Sequence, residues 1–189
     1  MKTPHVAALC FFLALAAGCR DAGDKKPAVV PTAAVHAPKS QALDPYYYGL
    51  IEEYRTILAE DPTNLAAVIA LGNAYFDSAQ WGDAVRMYER AVELDPRNAD
   101  VITDLGTAYR NLGKPDRAIA EYRRALGLEP AHLNARYNLG VVYAYDLKDY
   151  ARAIRLWEDL LRLAPNYPEA KAIQAHITAI KKSQQKSGR

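Results

Sequence analysis

The chain has only two cysteines, Cys10 and Cys19, so nothing from Arg20 onward can form a disulfide, bind a metal through a thiolate or attack a substrate with sulfur. Whatever folds there is held by packing alone. Serine is as scarce. Between Asp44 and Lys182 the only one is Ser78, with no histidine near it in sequence. The two histidines of that stretch, His132 and His176, are isolated from the convergent groups that a catalytic or metal site needs. No glycine-rich phosphate loop occurs, and adjacent Glu52 and Glu53 read as the wet side of an amphipathic helix. No catalytic residue, cofactor or metal ligand is therefore assigned, and the chain is not expected to be an enzyme. A charge excess is also missing: 24 Lys and Arg stand against 22 Asp and Glu, interspersed, giving a formal net charge of +2. Without a basic stripe, nucleic acid is not an expected partner. Runs of alternating β-branched residues are absent too. What dominates from Asp44 onward is helix formers, which predicts an all-α fold.

The N-terminus is organised differently. Met1 and Lys2 precede an apolar stretch from Val6 to Ala17, which ends in Ala16, Ala17 and Gly18 before Cys19. A positive start, a short apolar core and small residues at the end are the layout of a secretory signal peptide. A membrane-spanning helix needs about 20 apolar residues, so cleavage is favoured over retention. The segment Leu15-Ala16-Ala17-Gly18-Cys19 resembles the lipobox of bacterial lipoproteins, although Ala16 stands where that family usually has leucine. The resemblance implies a signal peptide over residues 1–18 and a lipidated Cys19 that anchors the mature chain to a membrane. Because Arg20, not aspartate, follows the cysteine, the periplasmic face of the outer membrane is the implied location. Residues 20–43 are rich in Ala, Pro, Lys, Asp and Gly and bury too little to order themselves. They read as a tether, spanning roughly 27 Å root-mean-square as a flexible coil.

The remainder repeats with a period of 34. Leu71, Leu105 and Leu139 keep that spacing, as do Gly72, Gly106 and Gly140, and Tyr75, Tyr109 and Tyr143. Ala84 and Ala118 continue the series, with Ala153 one residue late, and Pro62, Pro96, Pro130 and Pro165 close the units. Glycine within a helix costs about 1 kcal/mol relative to alanine, so three at one phase point to the close approach of a second helix. Offsets of three and four place Val68, Leu71, Gly72 and Tyr75 on one helical face, and Ala84, Val85, Tyr88, Ala91 and Val92 on the apolar face of the next. Proline then stops the second helix.

These units resemble tetratricopeptide repeats, helix-turn-helix modules of 34 residues with Leu-Gly, Tyr, Ala, aromatic, Ala and Pro at fixed positions. The resemblance implies an all-α, right-handed α-solenoid of three repeats, at residues 65–98, 99–132 and 133–167. Arg136 departs from the pattern where Val68 and Ile102 stand, Trp157 and Leu160 replace the usual tyrosine and alanine, and one extra residue falls near Asp146–Lys148. A flanking helix is expected over 44–61, with Asp44 as its N-cap and Pro45 in its first turn, and a capping helix over 168–182. Residues 183–189 read as a disordered tail.

In stacked repeats the first helices line a concave surface, the usual binding face of such solenoids. The stripe facing it runs through Ala66, Ile69, Asn73 and Phe76 or Asp77 in the first unit, Asp100, Thr103, Thr107 and Arg110 or Asn111 in the second, and Asn134, Tyr137, Val141 and Ala144 or Tyr145 in the third; the expected groove residues are Ile69, Asn73, Phe76, Thr103, Thr107, Arg110, Asn111, Tyr137, Val141 and Tyr145. Their mixture of aromatic and hydrogen-bonding groups suits a peptide or helix of a partner protein, and the groove does not look strongly charged. Some members of the family clamp C-terminal carboxylates with lysine, asparagine and arginine; here only Asn73 and Asn138 match, so no such clamp is expected. The function this implies is a lipid-anchored scaffold that binds one or more envelope proteins. A self-associating structural protein, a homo-oligomer through its end helices, is the second reading, and an enzyme a distant third.

Overall fold

The computed structural model describes residues 44–187. The expected signal peptide, Cys19 and the tether lie outside the described residues. The described residues fold into eight α-helices: α1 (Pro45–Glu60), α2 (Leu65–Asp77), α3 (Trp81–Leu94), α4 (Ala99–Asn111), α5 (Pro115–Leu128), α6 (Leu133–Val141), α7 (Tyr150–Leu163) and α8 (Ala170–Ser187). A π-helical turn, Val142–Asp146, continues α6. No strand occurs among the described residues. Each helix packs on the next, so the hairpins α2–α3, α4–α5 and α6–α7 nest side by side, with α1 and α8 covering the two ends. This is the expected α-solenoid.

Each first helix starts at a side-chain cap of constant phase. The Ala67 N–H donates to Asn64 Oδ1 (3.0 Å), the Val101 N–H to Asn98 Oδ1 (3.1 Å) and the Ala135 N–H to His132 Nδ1 (3.1 Å). A cap of this kind satisfies one of the four N–H groups that a helix leaves unpaired at its start and is worth about 1 kcal/mol. Asp44 does the same for α1, accepting from the Tyr46 N–H at 2.9 Å, with Pro45 in the first turn.

Within each hairpin a glycine lies under an aromatic ring. A methyl group built on Gly72 would come within 2.8 Å of Tyr88, one on Gly106 within 2.8 Å of Tyr122, and one on Gly140 would run into Trp157, reaching its Cδ1 at 2.7 Å. These rings are sealed: Tyr88, Tyr122 and Trp157 are all buried. Ala84, Ala118 and Ala153 are fully buried beside them, as are Ala91 and Ala125, where small side chains let the helices close. Leu160 takes the corresponding place in the last hairpin.

Between hairpins a hydrogen-bond ladder repeats at a separation of 20 residues. The Tyr75 hydroxyl accepts from Arg55 (2.9 Å), the Tyr109 hydroxyl donates to Glu89 and the Tyr143 hydroxyl accepts from Arg123 (2.6 Å). Arginine also holds the loop prolines: Arg90 donates to the Pro62 carbonyl and Arg124 to that of Pro96 (3.2 Å). In the last unit Arg136 does this for Pro130. That contact explains how an arginine sits where Val68 and Ile102 are wholly buried: its stem packs inward and its head turns out to a carbonyl.

The turns inside the hairpins close alike. The Gln80 N–H reaches back to the Tyr75 carbonyl (2.8 Å) and the Lys114 N–H to that of Tyr109 (2.9 Å), with Ala79 and Gly113 in left-handed backbone at φ 60° and 76°. The third turn absorbs the extra residue in the π-helical segment, and the Asp149 N–H bonds the Tyr143 carbonyl at 2.7 Å with Lys148 left-handed (φ 58°). At the C-terminus α8 runs to Ser187, past Lys182, because Gln and Lys are good helix formers and no breaker intervenes.

Two substitutions should act in opposite senses. Gly140→Ala drives a methyl into Trp157 and should destabilise by about 1–3 kcal/mol. Ala79→Gly relieves a left-handed alanine and should stabilise by about 1 kcal/mol. Urea denaturation followed by circular dichroism reads both.

Candidate partner-binding groove

The first helices open onto a groove of about 460 Å³. Asn73, Phe76 and Asp77 come from α2; Asp100, Thr103, Asp104 and Thr107 from α4; Asn134 and Asn138 from α6. Tyr88 of α3 and the cap residue His132 complete the lining. Helical geometry explains the α4 set: spacings of three and four put all four side chains on one stripe.

The same tyrosines that cover the glycines reach this surface with their hydroxyls. The Tyr88 hydroxyl donates to Asn73 Oδ1 at 2.7 Å, and that of Tyr122 lies 3.1 Å from Thr107 Oγ1. Asn138 Nδ2 donates to Thr107 Oγ1 at 3.4 Å, tying α6 to α4. His132 has a fixed tautomer. Its Nδ1 accepts from the Ala135 N–H, so its proton is on Nε2, which donates to Asp100 Oδ1 at 3.0 Å. Both ring nitrogens are thus occupied in structure. Phe76 stacks edge-on to Trp81, centroids 5.0 Å apart.

The groove is more acidic than its expected residues suggested. Three aspartates line it, and no lysine or arginine does. Burial against the concave wall, followed by the Asp100 charge, pushes the Asp104 carboxyl up to about 6. Burial, then Asp104 and Asp77, also raises the Tyr88 phenol. Burial carries the Tyr122 phenol to about 12.

Of the expected groove residues, Asn73, Phe76, Thr103 and Thr107 lie on this wall. The others are engaged elsewhere. Ile69 and Val141 are half-buried against the core. Arg110 is bound to Asp146 by two hydrogen bonds of 2.6 and 3.2 Å, a pairing that leaves only 20% of its side chain exposed. Asn111 is half-buried beyond the groove lining. Tyr137 leans on Tyr167, and its carbonyl accepts from Trp157 Nε1 at 3.2 Å. The Tyr145 hydroxyl meets His176 Nδ1 of α8 at 2.7 Å, and burial lowers the His176 pKa. Tyr145 and Trp157 therefore dock the capping helix through His176, and Tyr137 packs on the loop that leads into it. Sequence reasoning passed over Asp104 and Tyr88 as groove residues, and His132 as a cap; a turn-by-turn continuation from Asp100 finds Asp104, and the phase of Asn64 and Asn98 finds His132.

Two tetratricopeptide-repeat family models match the chain, one over residues 72–113 and one over 103–168. No curated protein matches it in sequence. Among solved structures it is similar to a crystal structure of MamA, with a TM-score of 0.61, 23% identity, and 75% of this chain and 91% of that one covered. A second MamA crystal structure gives a TM-score of 0.61 at 26% identity, covering 72% and 80%. A third, MamA MSR-1 C2, gives 0.56 at 25%, covering 63% and 68%. Repeats of this type form interaction scaffolds.

The raised Asp104 carboxyl has a definite pH signature. A folded pKa above the ordinary carboxylate value means that ionisation opposes folding, from nothing below about pH 4 to its full extent above about pH 6. Because Asp104 stays open to solvent, the effect is on the order of 1 kcal/mol. Asp104→Asn should therefore stabilise at pH 7.5 and have little effect at pH 3.5, read as urea midpoints at the two values.

Proposed function

Because residues 72–168 are tetratricopeptide repeats, we propose that this chain is a scaffold of the bacterial envelope, holding a peptide or helix of a partner protein in the groove across α2, α4 and α6. The observation that carries this reading is the composition of the wall: Asn73, Asp77, Asp104 and Asn134 are solvent-exposed polar side chains on a concave surface, beside the half-buried ring of Phe76. A concave surface that sets an aromatic ring among several placed hydrogen-bonding groups suits a polypeptide ligand. A lipid on Cys19 would hold the scaffold to the outer membrane's periplasmic face, and residues 20–43 would let the repeats stand clear of it. The partner's work is the assembly of an envelope complex. The arrangement offers little to an enzyme, since both ring nitrogens of His132, the groove's histidine, are engaged in structure.

A second reading, self-association, draws on the outermost helix. Tyr46 and Tyr48 of α1 are 65% and 59% exposed, more apolar surface than a solvated helix needs. Light scattering of the full-length protein separates a stable oligomer from a monomer.

Photo-crosslinking in intact cells tests the scaffold. A crosslinker at Asn73 or Thr107 should trap one discrete protein adduct, while one at Glu93 on α3 should not. Equal adducts at all three positions, or none at any, would contradict the reading. Cys19→Ala should move the protein from the membrane to the soluble fraction and reduce the Asn73 adduct.

A further inference from the structure

We propose that two copies of this protein pair through the open face of α1, helix against antiparallel helix, about a twofold axis near residues 52 and 53. This rests on the second reading above, self-association, and gives it a surface and a symmetry.

Helix α1 is the second helix of a repeat whose first helix is missing. Thirty-four residues before Trp81, Ala84, Tyr88 and Ala91 stand Tyr47, Leu50, Tyr54 and Ile57. In α3 this side closes on its own first helix, and Ala84, Tyr88 and Ala91 are buried. Helices α5 and α7 repeat the arrangement with Tyr122 and Trp157. The set in α1 is only half-buried: α1 packs on α2, and the first helix that covers the corresponding side elsewhere has no counterpart among the described residues. Tyr46 extends the stripe, 65% exposed and edge-on to Tyr47 with centroids 5.3 Å apart. The adjoining face of α1 is secured by buried Ile51 and Leu58 and by the Arg55 hydrogen bond to Tyr75 (2.9 Å). A firmly held helix thus presents the apolar stripe that its counterparts bury.

A second copy is the cover that fits. The chain does not supply the missing helix itself: residues 31–43 hold its place in the count, and Pro38 falls where Gly72, Gly106 and Gly140 do. Proline inside a helix removes a hydrogen bond and clashes with the preceding turn. The far end of the solenoid does not fit either. Because the third unit is one residue longer, Leu139, Gly140 and Tyr143 correspond to Gln174, Ala175 and Thr178 of α8, which are exposed and mostly polar. A helix finished for water builds no head-to-tail chain of copies. The stripe of α1, by contrast, complements itself. Spacings of three, four and three set Tyr47, Leu50, Tyr54 and Ile57 along one seam, the pattern with which two helices interlock. In the antiparallel sense Tyr47 meets the second copy's Ile57 and Leu50 its Tyr54, so each ring lies against a branched aliphatic chain. Both copies contribute the same surface, as in the commonest closed dimers. Tyr46 then lies opposite the second copy's Glu60, whose carboxylate can accept from the phenol. Glu53, at the axis, lies opposite itself. A seam along a helix of about 24 Å is at the small end of specific interfaces, so the pairing is concentration-dependent.

A short bismaleimide applied to the full-length protein reads the symmetry. Glu53→Cys should link into a dimer, while Glu93→Cys on α3 should match the unsubstituted chain, whose Cys10 and Cys19 set the background. Sedimentation equilibrium reads the strength. Glu53→Gln removes the like-charge contact at the axis and should tighten the dimer about two- to fivefold. Tyr54→Ala should weaken it about tenfold or more at an unchanged far-UV spectrum, and Glu93→Gln should leave it unaltered. A photo-crosslinker at Glu53 in intact cells should trap a second copy; a foreign protein trapped there instead would overturn the choice of occupant. Equal linking at the two cysteine positions, or an association that neither Glu53→Gln nor Tyr54→Ala moves, would overturn the pairing and leave self-association to another surface. A monomer at every concentration would overturn both.

Discussion

The contact between a helical glycine and the ring of the following helix governs this structure. Gly72 under Tyr88, Gly106 under Tyr122 and Gly140 under Trp157 set how closely each hairpin closes. In each case the ring occupies the volume that a β-carbon would need. Glycine's intrinsic cost in a helix, about 1 kcal/mol, is offset by burying an aromatic side chain whose removal typically costs 3–5 kcal/mol. The spacing of the hairpin then dictates where the tyrosine hydroxyls emerge, and they emerge among the groove residues, on Asn73 and Thr107. Core packing and the groove wall are thus two ends of the same side chains.

Much of this was legible in the sequence because it depends on residues within one unit. Leucine, glycine, tyrosine, alanine and proline recur at fixed phase since each unit solves the same packing problem, and helix geometry turns that phase into faces. The expected α1 start at Asp44-Pro45 and the irregularity near Asp146–Lys148 are likewise local features, and the structure shows an N-cap and a π-helical turn there. What was not legible depends on how one unit faces another. Arg110 finds Asp146 at a separation of 36 residues and Tyr145 finds His176 at 31, so neither fate follows from its own helix. By its helical phase Arg110 belongs to the groove, and an acid on the next repeat holds it. The acidity of the wall emerges in the same manner, by convergence of Asp77 from one unit with Asp100 and Asp104 from another.

A division of labour follows. Buried tyrosines, the inter-repeat ladder at Tyr75, Tyr109 and Tyr143, and the arginine contacts to loop carbonyls form a frame that repeats with little change. The wall does not repeat. Position by position it carries Asn73 then Thr107, Asp100 then Asn134, and Asp104 then Asn138. A regular frame bearing an irregular surface suits recognition of one particular segment.

The dependence of the whole on the glycine contact is tested most directly by a double-mutant cycle on Gly106 and Tyr122, read as unfolding free energies of the full-length protein. In the native background Gly106→Ala should destabilise, and in a Tyr122→Ala background it should become neutral or stabilising, a coupling of about 1–3 kcal/mol. Additive effects of the two changes would show that the ring does not set the spacing, and the link from core to groove would be lost.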